Sequence, residues 1–267
     1  MTAIREYAKS IHANLAGFLP SQPLGNSSNV GDLYSIGTFN KSNIEKIGSI
    51  YNFGGEPQEL HSTKKAEQLS LQSATGVKAT SKLKGNAPTI PGSSLGVDEA
   101  GITVEFQSNT SYLFVAEGLS YKEPVNMPAF LTSARTAIGK VDPRQIGFNS
   151  LWLVMRIAEV DRYTLALAKS RAAVFEVGAS GSVTALGLSD LASAEASLKL
   201  ARTHNLQYSV LSSKGSGIFF FAKKVEVGGA IRAYTPVGGY WPPNKSARRA
   251  SFEDLSGDDV KAFLDAL

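Results

Sequence analysis

Between Val30 and Leu119 the chain is rich in Ser, Thr, Gly and Asn, and turn formers interrupt it every few residues. Such a texture folds into short strands joined by turns and leaves no room for a helical bundle. Residues 32–39, 44–53, 101–107 and 111–116 read as strands. The clearest alternation sets Ile102, Val104 and Phe106 on one face, and Gly54-Gly55-Glu56-Pro57 marks a turn. Residues 64–85 alternate more weakly, with Leu69, Leu71, Val77, Ala79 and Leu83 against polar neighbours, and Lys64, Lys65, Lys78, Lys82 and Lys84 are interleaved among them. Nothing in that stretch is bulky enough to anchor a core. Residues 87–96 are a Pro/Gly/Ser loop.

Helical patterning is confined to a few places. Ile4, Tyr7, Ala8, Ile11, Leu15, Phe18 and Leu19 form one stripe, which predicts a helix over 3–19 ended by Pro20. Asn126 is placed to cap a helix over 127–138, with Pro128 in its first turn and Gly139 past its end. Residues 150–160 are apolar in both alternations and read as a short buried helix, with a strand as the alternative. Residues 163–177 read as one long strand, followed by an Ala-rich helix from Ser189 or Asp190 to about His204. Strands 206–212 and 218–227 would form a hairpin about Lys214-Gly-Ser-Gly217. At the end, Ser256 and Asp259 make a capping box, and Val260, Phe263, Leu264 and Leu267 follow at i, i+3, i+4 and i+7. So short a helix does not stand alone in water, so its stripe must dock on something.

Composition narrows the function classes. With no cysteine, disulfides, thiolate metal sites and cysteine nucleophiles are excluded. The three histidines, His12, His61 and His204, have no carboxylate at ligand spacing. The chain contains no G-x-S-x-G, H-E-x-x-H, Walker A or G-x-G-x-x-G pattern, and Ser–Lys adjacencies such as 169–170 carry no geometry. The expectation is a protein that is not an enzyme and takes no cofactor or metal. Basic residues in 64–84 have no aromatic among them, which argues against nucleic acid as a partner. The longest uncharged apolar clusters, 151–155 and 218–222, fall far short of the roughly 18–20 residues of a spanning helix. Residues 1–19 are broken by Arg5, Glu6, Lys9 and His12, unlike a secretory leader. Any membrane entry must use amphipathic strands or interfacial helices.

Charge is divided unevenly. The whole chain carries 27 Lys and Arg against 23 Asp and Glu, a formal +4. Residues 251–267 hold Glu253, Asp254, Asp258, Asp259 and Asp265 against Lys261 alone, or −4. The remainder is 26 against 18, or +8. A basic body with an acidic tail suits a surface that meets an anionic partner once the tail is gone; a solvated terminal helix is the plainer reading.

The order of these features resembles the gasdermins, in particular the short bacterial ones, over about 30–245. Paired early strands run from Gly31-Asp-Leu-Tyr34 to Phe53, and a Ser/Thr-rich stretch then ends in a Gly/Pro loop. Gly101-Ile-Thr-Val-Glu-Phe106 is similar to that family's central strand, and Tyr163-Thr-Leu-Ala-Leu-Ala168 leads into Val174–Val177. Ile218-Phe-Phe-Phe-Ala222 is similar to its late apolar strand. The resemblance implies an α+β fold with a central twisted, mostly antiparallel sheet, surrounding helices and a short C-terminal helical tail. It implies a pore-forming domain over 1–245 and an autoinhibitory tail over 246–267, docked through Val260, Phe263, Leu264 and Leu267. A caspase-like or trypsin-like protease would remove the tail, and Arg248-Arg249 is the candidate cleavage linker. Hairpins from 64–105 and 163–211 would then enter the inner membrane, with Lys64, Lys65, Lys78, Lys82 and Lys84 as candidate residues facing anionic lipid. Self-association into a pore would kill the cell and limit phage spread, the intact form being cytoplasmic. Several bacterial members carry an acylated cysteine near the N-terminus; here Ile4, Ile11 and Phe18 are the apolar groups in that region.

Overall fold

A computed structural model of the chain describes residues 2–37, 43–64, 68–73, 76–85, 90–141, 150–180, 183–193, 197–227 and 250–267. It is α+β. In chain order the elements begin α1 (Ala3–Asn14), β1 (Leu19–Pro20), β2 (Asp32–Ile36), β3 (Ile44–Ser49), β4 (Leu60–Lys64) and β5 (Leu69–Gln72). Next come β6 (Val77–Lys82), β7 (Ala100–Phe106), β8 (Tyr112–Glu117), β9 (Ser120–Pro124) and α2 (Met127–Ile138). The last are β10 (Ser150–Ala168), β11 (Ala173–Ser180), β12 (Ser197–His204), β13 (Leu206–Val227), β14 (Ala250–Asp254) and α3 (Gly257–Ala266). Among the described residues, no helix is long and apolar enough to cross a membrane.

Two compact units divide the chain. The first takes Met1–Ser27, Thr63–Tyr121 and Ala158–Phe219; the second takes Ser28–Ser62, Lys122–Ile157 and Phe220–Leu267. In the first unit β12, β11, β7 and β6 lie in that order in one sheet, antiparallel throughout. β5 and the later part of β10 flank β8 in another, also antiparallel. Ile102, Val104 and Phe106 of β7 and Phe175 and Val177 of β11 form one core with Leu113, Val115 and Ala166 of the facing strands. Their period-2 spacing puts every second residue inward. α1 buries Ile4, Tyr7 and Ile11, and the Tyr7 ring lies 5.6 Å from Phe114 and 5.8 Å from Tyr112. Burial pushes the Tyr7 phenol well above its ordinary value, with the neighbouring tyrosines adding to the effect. Ile4, Ile11 and Phe18, the apolar groups near the chain's start, are all buried.

In the second unit, β2 pairs antiparallel with β3 and with the start of β10, where Trp152 stands opposite Tyr34. Asp32 is buried and ion-paired with Lys46 at 2.6 Å. α2 forms as the sequence predicts, with Asn126 Oδ1 accepting from Ala129 N at 3.1 Å.

Several expectations are corrected. Residues 150–160 are strand, not helix: Leu151, Trp152, Leu153 and Val154 are all buried, and a strand covered on both faces shows no alternation. Residues 163–177 are not one strand. β10 stops at Ala168 and β11 starts at Ala173, and Ala172 takes a left-handed φ of +60° in the turn between them. The Ala-rich stretch is a short 3₁₀ turn, Leu188–Ala192, followed by β12. Pairing with β11, where Phe175 faces Thr203, overrides its helical propensity. The hairpin about 214–217 is absent because β13 runs unbroken through it. Gly215 is there for closeness, since a Cβ would come within 2.6 Å of Val160 Cγ2. The first helix ends at Asn14, because Ala16 and Gly17 adopt left-handed φ values of +45° and +89°.

Candidate functional site: the docked C-terminal segment

Residues 250–267 belong to the second unit and consist of one strand and one helix. β14 pairs antiparallel with the end of β13, in the register Lys223↔Asp254, Lys224↔Glu253 and Val225↔Phe252. Charge is matched along this edge, once within the register and once onto the helix that follows it. Lys223 Nζ lies 3.0 Å from Asp254 Oδ1, and Lys224 Nζ lies 3.3 Å from Asp259 Oδ1. From α2, Arg135 Nε donates to the Ala250 carbonyl at 3.2 Å, and its guanidinium sits 5.4 Å from the centre of the Phe252 ring.

The helix starts where the capping box predicts. Ser256 N donates to Asp259 Oδ2 at 3.0 Å, and Asp259 N donates to Ser256 Oγ at 3.2 Å. Burial pushes the Asp259 carboxyl up, but hydrogen bonds from Ser256 and the nearby Lys224 ammonium outweigh it and hold it below its ordinary value. A depressed carboxyl stabilises the docked helix above the ordinary carboxylate range, and that contribution is lost as pH falls through the lowered value.

Phe263 is the plug. Its side chain is fully buried, stacked on Trp152 with centroids 5.8 Å apart and planes 18° apart. It meets Phe220 edge-on at 6.1 Å, and Phe220 in turn stacks on Tyr34 at 5.0 Å. Trp152 Nε1 is buried with no hydrogen-bond partner among the described residues. Val260, Leu264 and Leu267, the other tail residues singled out by spacing, are only partly buried.

The remaining sequence candidates are scattered. Arg248, Arg249 and Lys65 lie outside the described residues, and of Lys64 only its place at the end of β4 is described. Lys78 and Lys84 are exposed. Lys82, at the end of β6, is fully buried, and its ammonium donates to the Leu95 carbonyl at 3.0 Å and to that of Gly96. In this state it is turned to protein, not to a surface. Sequence reasoning missed Trp152, Phe220, Arg135, Lys223 and Lys224 as the tail's receptors. Each lies far from its partner along the chain, and only the pairing of acidic tail with basic body hinted at two of them.

Neither a protein-family profile nor a curated protein matches the sequence. Two solved structures are similar in chain course. The cryo-EM structure of the gasdermin A3 membrane pore aligns with 97% of this chain and 97% of its own, at 10% identity and a TM-score of 0.38. A bacterial gasdermin from Bradyrhizobium tropiciagri aligns with 83% of this chain and 86% of its own, at 12% identity and a TM-score of 0.31.

Proposed function

We propose that this chain is a pore-forming protein of gasdermin type, with a body over 1–245 held inactive by its own tail over 246–267. On this reading a caspase-like or trypsin-like protease cuts the linker, with Arg248-Arg249 as the candidate site. The freed body meets anionic lipid at the cell inner membrane, inserts hairpins from 64–105 and 163–211, and self-associates into a large pore. Cell death then limits phage spread, and the intact chain waits in the cytoplasm. The chemistry asked of the protein is refolding and assembly, with no catalytic step, no cofactor and no nucleic acid.

The observation that carries this reading is how the tail is fastened. One aromatic plug, one five-residue strand and a few ion pairs hold it. Burying a side chain such as Phe263 contributes about 1.5–3 kcal/mol, and pairs at the surface add little. While tethered, such a segment competes at an effective concentration on the order of millimolar; once cut, it competes only at the protein's own concentration. A modest docking energy is therefore enough in the intact chain and insufficient after cleavage. Residues 251–267 carry −4, so a cut after Arg249 leaves a +8 body facing anionic lipid.

A second reading is a binding or structural module whose tail is a permanent part of the fold, and the complete burial of Phe263 favours it. The two part on one experiment. A specific protease site is placed at 244–249 of the full chain, the linker is cut, and dye release from phosphatidylglycerol-containing liposomes is followed. Release on cutting, and none before, is expected. Intact vesicles in the presence of a cut protein that keeps its circular dichroism spectrum would favour the permanent tail.

A further inference from the structure

The connection between β6 and β7 contains residues 90–96, and these do not project from the end of that hairpin. They fold back over the outward face of the sheet β6–β7–β11–β12. Leu95 is buried, and it sits where Gly101 of β7 and Gly178 of β11 leave room: a Cβ at Gly101 would be 3.2 Å from Leu95 Cγ, and one at Gly178 2.7 Å from Leu95 Cδ2. Around it the grip is polar and comes from the sheet's outward side chains. Glu176 of β11 is only 1% exposed; its carboxylate accepts from Ser94 N at 3.1 Å, Ser94 Oγ at 2.9 Å and Ser93 Oγ. Lys82 of β6 holds the Leu95 and Gly96 carbonyls. Arg202 of β12 donates to the Gly92 carbonyl at 2.9 Å.

Two features set this contact apart from an ordinary loop. Ionisable side chains are almost never fully buried unless paired, yet Lys82 and Glu176 are buried mainly by backbone and hydroxyl groups of the segment lying over them. The hydroxyl of Thr103, which β7 pairs opposite Glu176, is buried without a partner among the described residues. Burial pushes the Glu176 carboxyl up, but hydrogen bonds from Ser93 and Ser94 outweigh it and hold it below its ordinary value, so the segment's own groups stand in for water there. The opposite face of the same strands carries Val104, Phe106, Phe175 and Val177 and needs no water. The arrangement is therefore a polar face closed by a cover held largely by hydrogen bonds, which water can replace at modest net cost, on strands that have one apolar and one polar side, the pattern a membrane barrel requires.

We propose that residues 90–96 are a strap that locks the β6–β7 hairpin against extension, a restraint additional to the tail. The reason is topological. At its open end the pair already continues, with Gln107 N donating to the Gly76 carbonyl at 2.7 Å; at its connected end it can lengthen only through the residues beyond Lys82 and Gly101, which stand opposite each other. Residues 90–96 of that connection are pinned back on the sheet, so the pair cannot grow at this end until Leu95 leaves the two glycines and Glu176 and Lys82 release the strap's backbone. This inference rests on the pore-forming reading.

The test uses the full chain with a cleavable linker. The wild-type protein has no cysteine, so Leu95→Cys with Gly101→Cys can form only one disulfide. The 3.2 Å from a Gly101 Cβ to Leu95 Cγ is near the roughly 3 Å from a disulfide's Cβ to the far sulfur, while the same Cβ would stand 2.9 Å from the Val177 carbonyl oxygen, so β11 must give slightly to accept it. After linker cutting, the oxidised variant should release no dye above the uncut baseline, and reductant should restore release in the same sample. Equal release from oxidised and reduced protein, with the bond verified by mass spectrometry, overturns the strap. If the disulfide does not form, Ser93→Ala with Ser94→Ala decides: release by the cut protein should be faster than wild type, with the uncut chain still silent, and an unchanged rate overturns the proposal. Absence of release from cut wild-type protein is a different failure. It removes the pore-forming reading, and the strap's role falls with it.

Discussion

Phe263 concentrates the tail's docking in one side chain. It is the fully buried member of its stripe, while Val260, Leu264 and Leu267 are only partly covered. Replacing a fully buried phenylalanine by alanine costs about 3–5 kcal/mol where the site cannot collapse, and the rings of Trp152 and Phe220 are held by β10 and β13 and cannot close the gap. Phe263→Ala should therefore leave the strands folded while freeing the helix. In a Trp241→Phe background the fluorescence of Trp152 should shift to longer wavelength, and proteolysis within 257–266 should accelerate. An unshifted spectrum would mean that the helix stays seated without its plug. The heptad spacing made Phe263 visible in the sequence as one of four equals. What singled it out was the receiving surface, assembled from Trp152 and Phe220, whose positions no local pattern connects with the tail.

At the scale of elements, those whose partners are local or whose faces differ were readable: α2 with its Asn126 cap, the α3 capping box, and β7 with its alternating Ile102, Val104 and Phe106. The misread ones share a cause. β10 is apolar on both faces, β12 carries helix-forming residues, and β13 contains glycines that mimic a turn, so in each case sheet pairing decides against local preference. Gly215 gives this a test. In a hairpin loop, alanine at 215 would cost little; in an unbroken strand its Cβ would come within 2.6 Å of Val160 Cγ2 and 3.0 Å of Tyr163 Cδ1. Both neighbours are buried and stiff, so Gly215→Ala should lower stability by about 1–3 kcal/mol in a urea titration. A neutral substitution would return 214–217 to a turn.

For the whole molecule the relevant quantity is how its charge is divided. Intact, the chain carries a formal +4; without residues 251–267 it carries +8. In the docked state part of the tail's charge is spent on the body itself, through Asp254 on Lys223 and Asp259 on Lys224. Removing the tail thus raises the net charge and also takes those two carboxylates away from Lys223 and Lys224. Attraction to an anionic bilayer is worth about 1 kcal/mol per basic residue near the surface and acts only within a Debye length. That length shrinks from about 10 Å at 0.1 M salt to about 3 Å at 1 M. Sedimentation of the cut protein with phosphatidylglycerol vesicles should therefore be strong at low salt and fall steeply as salt rises. The uncut chain should bind less at every salt concentration, and neither form should bind phosphatidylcholine vesicles appreciably. Because insertion of apolar strand faces is insensitive to screening, protein already inserted should stay bound when salt is added afterwards. Adding salt before or after lipid contact therefore separates electrostatic capture from insertion. If the cut protein binds neutral and anionic vesicles alike, charge division has no part in targeting and the tail acts through Phe263 alone.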